Sequence, residues 1–162
     1  MSVNKYLPHV YVLPEDDANR QIANGFFLDH GLHRRQFYVL EEAGGWTNVL
    51  DNFCSVHVLE MEKTPTRYMI LAIDLDDNLG RLELAKSRIP EHLVDRVFVL
   101  CTLSEPEKLK PDLGSFETIG LGIARDCREG TNTVWGHRLL THNATEISRL
   151  RDLVQPILFP DV

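Results

Sequence analysis

Carboxylates gather at two places in this chain, each directly behind an apolar run. His9-Val10-Tyr11-Val12-Leu13 leads through Pro14 into Glu15, Asp16 and Asp17. Tyr68-Met69-Ile70-Leu71-Ala72-Ile73 leads into Asp74, Asp76 and Asp77, with Gly80 close behind. Acids crowded together raise one another's pKa unless a positive charge intervenes. A divalent cation is an economical one, because Mg2+ takes oxygen ligands and keeps several waters, so two or three carboxylates suffice. If the chain stays extended, the D-x-D spacing points Asp74 and Asp76 to one side and turns Leu75 into the core. Asp77 takes their place if the turn begins early. The same acids also suit a plain solvated turn. The fold decides between the two by bringing the clusters together or keeping them apart.

The elements that must do this positioning are legible as a series. His9–Leu13 reads as a strand that Pro14 stops, followed by a helix from about Ala18 to Asp29, capped by Asp16 or Asp17 and ended by Gly31. Gln36–Leu40 is a second strand, Gly44-Gly45 a turn, and Thr47–Phe53 a short helix. Ser55–Glu60 suits either a small extra strand or an extension of that helix. Tyr68–Ile73 is continuously apolar, as expected of a strand buried on both faces. A helix from about Leu79 to Arg88 and a strand at Arg96–Cys101 follow.

The polar stretch SEPEKLKPDLG is a loop. Ser115 then opens a helix toward Cys127 in which Gly120 and Gly122 permit close approach to a neighbour. A further short helix is expected over Thr133–Leu140. Asn143–Leu153 is expected as a helix capped by Asn143, with Glu146 at its third position, and ended by Pro156. Alternating strands and helices specify an α/β fold: a mainly parallel sheet of four strands, or five, flanked by helices, with a helical C-terminal third. Open sheets of this kind bind ligands beyond the carboxyl ends of their strands. If the first and third strands are neighbours, both acid clusters share one rim.

The bulk composition narrows the function classes. The 162 residues suit one domain, spanning 1–162. A net charge of -7 gives no general attraction to nucleic acid or to an anionic membrane. A nucleic-acid substrate therefore needs a bound cation or a local basic patch. Arg125, Arg128, Arg138, Arg149 and Arg151 either form such a patch or pair with Asp126, Glu129, Glu146 and Asp152 on helix surfaces. Three widely spaced cysteines form no C-x-x-C pair and suit a reducing compartment. No run approaches the roughly 20 apolar residues of a membrane span. The expected location is cytoplasmic, without membrane association. His137 and His142, five positions apart, match no zinc pattern, and Trp135 suits a core or lid position.

The ordered set of motifs resembles the TOPRIM family, the metal-binding domain of topoisomerases, bacterial primases and overcoming-lysogenization-defect nucleases. Glu15 stands where the family has its lone glutamate. Gly44-Gly45-Trp46-Thr47 is similar to its glycine-containing turn, and IDLDDNLGR supplies Asp74 and Asp76 of its D-x-D motif with Gly80 near the trailing glycine. The resemblance covers about residues 8–102 and leaves 103–162 as a mostly helical extension. This chain departs from the family in having Pro14 before the glutamate and Asp16 where glycine usually follows it. Ala18 and Asn19 stand where another acid is often found, a loss for which Asp17 is the compensating candidate.

The resemblance implies Mg2+ or Mn2+ held by Glu15, Asp74 and Asp76, with Asp77 and Asp17 as further metal ligands. It implies phosphoryl transfer on DNA or RNA, with Glu15, Asp74, Asp76 and Glu117 as the catalytic set and Glu117 serving a second ion. Nuclease is the simple enzyme reading, because topoisomerase and primase activities need further domains. The alternative is a catalytically weak or inactive regulatory or binding subunit, working beside an ATPase or another effector, with a role in phage defence suggested by analogy. A receiver-like phosphoacceptor, with Asp16, Asp17, Asp74 and Thr102, is the more distant competitor.

Overall fold

A computed structural model describes residues 2–162. The chain runs β1 (His9–Pro14), α1 (Asp17–Phe27), β2 (Phe37–Val39), α2 (Trp46–Asn52), α3 (Val58–Lys63), β3 (Arg67–Asp74), α4 (Gly80–Ser87) and β4 (Val97–Thr102). It continues through α5 (Lys110–Leu113), α6 (Phe116–Glu129), α7 (Ala144–Leu153) and α8 (Gln155–Leu158). The four strands form one parallel sheet in the order β2-β1-β3-β4. Thus β1 and β3 are neighbours, and their carboxyl ends carry Glu15 and Asp74 to the same rim.

The strands alternate sides while burying both. Leu13, Met69, Leu71, Ile73, Val97 and Val99 pack on one face with residues of α2, α3 and α4. Val10, Val12, Ile70 and Phe98 pack on the other with residues of α1, α6, α7 and α8. Burial on both faces explains the unbroken apolar runs in the sequence. Ser55–Glu60 forms no fifth strand: Phe53–His57 widens into a π-helical turn that joins α2 to α3. Pro14 ends β1 from inside, pairing in register with Ala72.

The glycines of α6 act as expected. A Cβ on Gly120 would lie 2.0 Å from the Ile22 carbonyl oxygen, and one on Gly25 2.3 Å from the Glu117 carbonyl oxygen. The backbones of α1 and α6 therefore meet where neither carries a side chain.

Two expectations in the C-terminal third are corrected. Thr133–Leu140 is a set of turns, not a helix. The buried Asp126 carboxylate accepts from the Thr131 hydroxyl (2.6 Å) and from the N–H groups of Thr133 (2.9 Å), Val134 (2.7 Å) and Trp135 (3.3 Å), which ties that backbone to a side chain. The expected capping by Asn143 and Glu146 is also absent, because both side chains turn to the edge strand. Asn143 Oδ1 accepts the Cys101 N–H at 3.0 Å, its Nδ2 donates to the Cys101 carbonyl at 2.8 Å, and Glu146 Oε2 accepts the Val99 N–H at 2.8 Å. Arg149 donates to the Val97 carbonyl at 2.9 Å. Side chains of α7 and the residue before it thus cover the edge that β4 would otherwise expose.

Candidate functional site

The rim is built by local geometry at three strand-to-helix junctions. Behind β1, Asp16 adopts an extended conformation and caps α1, its Oδ1 accepting the Asn19 N–H at 3.0 Å. Behind β2, Gly44 and Gly45 take φ of 89° and 147°, and both donate their N–H to the Glu15 carbonyl oxygen, at 2.9 and 3.2 Å. Few side chains tolerate these backbone angles, which is why the turn carries two glycines. Behind β3, Asp76 and Asp77 take φ of 50° and 59°, in the left-handed region that Asp tolerates better than most residues.

Glu15 and Asp74 come together at this rim. Glu15 Oε2 accepts the Asp74 backbone N–H at 2.6 Å. The Asn19 side-chain amide donates to Asp74 Oδ1 at 3.0 Å and to Asp16 Oδ1 at 3.1 Å, bridging the two aspartates. Asp74 is buried, and burial is the main cause that pushes its carboxyl up to about 8, reinforced by the charges of Glu15, Asp16 and Glu107 and only partly opposed by Asn19. Burial also raises Glu15, and the Asp74 and Trp46 N–H groups oppose this. The cluster is thus short of positive charge, although Arg81 stands beside it. Arg81 donates to the Asp74 carbonyl oxygen at 3.2 Å, lies 3.7 Å from Asp76 and rests over the Trp46 ring at 4.9 Å.

The other expected residues stand differently. The turn at Asp76 ends the extended run, so the D-x-D alternation stops at Leu75, which is fully buried as expected. Asp76 is exposed and faces Arg81, and Asp77 accepts weakly from the Ser104 hydroxyl at 3.4 Å. Asp17 is exposed on α1 and held by Arg20 and Gln21, each at 2.6 Å. Glu117 is exposed in the first turn of α6, and no hydrogen bond or ion pair among the described residues joins it to the pair. Glu107, from the loop behind β4, is the acid of the C-terminal third whose charge reaches Asp74. Sequence reasoning missed Glu107 and Asn19. The rule that sites form behind strand ends could have found Glu107, whereas the reach of Asn19 to Asp74 spans 55 positions.

The arginines of the last third are mostly structural. Arg128 pairs with Asp29 and Glu129, and Arg149 with Glu146. His137 bonds Asp112 at 2.7 Å, and His142 lies 3.3 Å from the Cys101 sulfur. Burial pushes the Cys101 thiol up to about 12 and lowers His142, so this pair is neutral rather than an activated nucleophile.

Among the described residues, no three His, Cys, Asp or Glu side chains are gathered closely enough to form a ready-made metal cage. The donors at the rim are hard carboxylate oxygens, and the raised Asp74 marks a place where added positive charge is favoured. The chemistry of these oxygen donors suits a hard cation such as Mg2+ or Mn2+ better than a softer metal. No helix among the described residues is long and apolar enough to cross a membrane. Compared with family models, curated proteins and solved structures, the chain matches none.

Proposed function

We propose that the rim at Glu15 and Asp74 binds Mg2+ or Mn2+ and supports hydrolysis of phosphodiester bonds in DNA or RNA. The observation that carries this reading is the convergence of two acids 59 positions apart on one rim, where burial and like charge raise both. Glu15 and Asp74 would hold the cation, with Asp16 as the adjacent acid. When bound, the cation would polarise the scissile phosphate and lower the pKa of a coordinated water. The rest follows from the chain's own groups. Glu15 orients Asp74 through its backbone N–H, and Asn19 fixes the spacing of Asp16 and Asp74. Arg81, stiffened by Trp46 and Asp76, supplies a fixed positive charge to a phosphate approaching an otherwise acidic protein. Asp76 is an outlying acid in this arrangement, whereas the Glu117 backbone packs against Gly25, two turns along α1 from the rim.

Two observations favour a second reading, a binding or regulatory subunit with weak catalysis that acts with an ATPase or effector. Asn19, at the place where the resembling family often has an acid, is a neutral donor to Asp74, and Asp76 is turned outward. Cleavage of labelled single- and double-stranded DNA and RNA with Mg2+ or Mn2+ separates the two. The nuclease reading expects cleavage that Glu15→Gln and Asp74→Asn abolish. Cleavage that survives both substitutions overturns the site, and absence of cleavage with retained nucleic-acid or protein binding favours the subunit.

A further inference from the structure

On the α1 side of the sheet, the close contact of α1 with α6 leaves a cavity of about 110 Å3 between α6 and the strands. Val12, Ile70, Ala72 and Leu100 form its sheet wall, while Ala23 and Ile123 face them from the two helices. An outer recess of about 360 Å3 shares Trp135, Ile147 and Arg151 with this chamber and adds polar groups, among them Ser148 and Asp152. Arg151 therefore stands at the boundary between an apolar chamber and a polar one. Its guanidinium donates to the Thr131 carbonyl and to Asn132 Oδ1, and its Nε is buried without a partner. Arg128 and Arg149 each pair with a carboxylate, whereas Arg151 has no such partner among the described residues.

We propose that the two chambers form one binding site for a small amphipathic carboxylate, its apolar body inside and its carboxylate on Arg151. The inner volume bounds the body. An apolar cavity of roughly 150 Å3 admits one benzene and stays dry when empty. At about 110 Å3 the chamber is smaller than that, so a short aliphatic chain or at most a single small ring is the class that fits, and a long acyl chain does not. Asp152 lines the recess that takes the carboxylate, so Arg151 must outweigh its repulsion and a second negative charge on the ligand is disfavoured further. The site abuts the cation rim, because Asn19 and Thr102 lie in its wall.

The test is titration of the full chain with hexanoate and benzoate, and with the neutral hexanol and toluene, followed by backbone amide chemical shifts. Saturable shifts from the carboxylates are expected on α1, α6, α7 and β3. Arg151→Gln should weaken hexanoate by roughly tenfold or more, as loss of a charge-assisted hydrogen bond implies, and leave hexanol unchanged. Ala23→Leu should fill the chamber and abolish both, with Ala72→Val as the substitute on the opposite wall if the first does not fold. The proposal is overturned by shifts that never saturate or that map elsewhere. It is equally overturned by hexanoate binding that ignores Arg151→Gln.

Discussion

Asn143→Ala should cost the fold about 2–4 kcal/mol, far more than truncating one polar residue before a helix usually does. The reason is β4, whose outer edge has no neighbouring strand. Asn143 is buried and stands in for that strand, accepting the Cys101 N–H at 3.0 Å and donating to the Cys101 carbonyl at 2.8 Å. Truncation leaves both groups unpaired at a buried position, and each such group costs roughly 1–3 kcal/mol. Water entering at the edge recovers part of this, hence the lower end of the range. Asn143→Asp keeps the acceptor but turns a buried carboxylate oxygen toward the Cys101 carbonyl, so at neutral pH its cost should equal or exceed that of Ala. Urea unfolding gives the energies, and hydrogen exchange at the Cys101 amide reports the pairing itself, which should become markedly less protected in Asn143→Ala. A change within about 0.5 kcal/mol, with that amide still protected, would refute the edge-cover argument.

Gly120→Ala should destabilise by at least about 2 kcal/mol, because the new Cβ meets the Ile22 carbonyl at 2.0 Å; an unchanged melting temperature would contradict the close α1–α6 approach. Burial pushes Asp126 up, but the Thr131 hydroxyl and the Val134, Thr133 and Trp135 N–H groups outweigh it and hold the carboxyl below its usual 3.8. Its contribution is therefore present above about pH 3.8 and lost as pH falls through the lower value in the fold, and Asp126→Asn should flatten that acid limb of the stability curve. Asp74 has the opposite sign. Raised from 3.8 to about 8, it is protonated in the fold and ionised in the unfolded chain between those values, so stability in chelator should fall as pH rises across that window. At about 1.4 kcal/mol per pH unit the loss reaches several kcal/mol, and Asp74→Asn should remove it; parallel curves for the two proteins would contradict the crowding.

The strand series was legible because buried parallel strands need continuous apolar runs, and runs such as Tyr68–Ile73 leave little ambiguity. The meeting of Glu15 and Asp74 was expected only if β1 and β3 are neighbours, a condition that the order β2-β1-β3-β4 supplies. Asp76 did not, because the extended D-x-D pattern competes with the tolerance of Asp for left-handed backbone, and the turn beginning at Asp76 prevailed. The helical patterns at Thr133–Leu140 and at the Asn143 cap failed for a related reason. Their outcome was set by distant groups, Asp126 and the free edge of β4, that local propensity does not register. Asn19 was visible only as the neutral residue in place of an acid, and its bridge between Asp16 and Asp74 required the fold.

We propose that two remote carboxylates, Glu15 and Asp74, form one seat for a divalent cation. Calorimetric titration of Mn2+ into chelator-stripped protein tests it most directly, repeated with Glu15→Gln and with Asp74→Asn. Saturable binding by the wild-type chain is expected, with protons released as Asp74 ionises, and loss of both heat and proton release in each variant. Undiminished binding in either variant, or none in the wild type near pH 8, would contradict it.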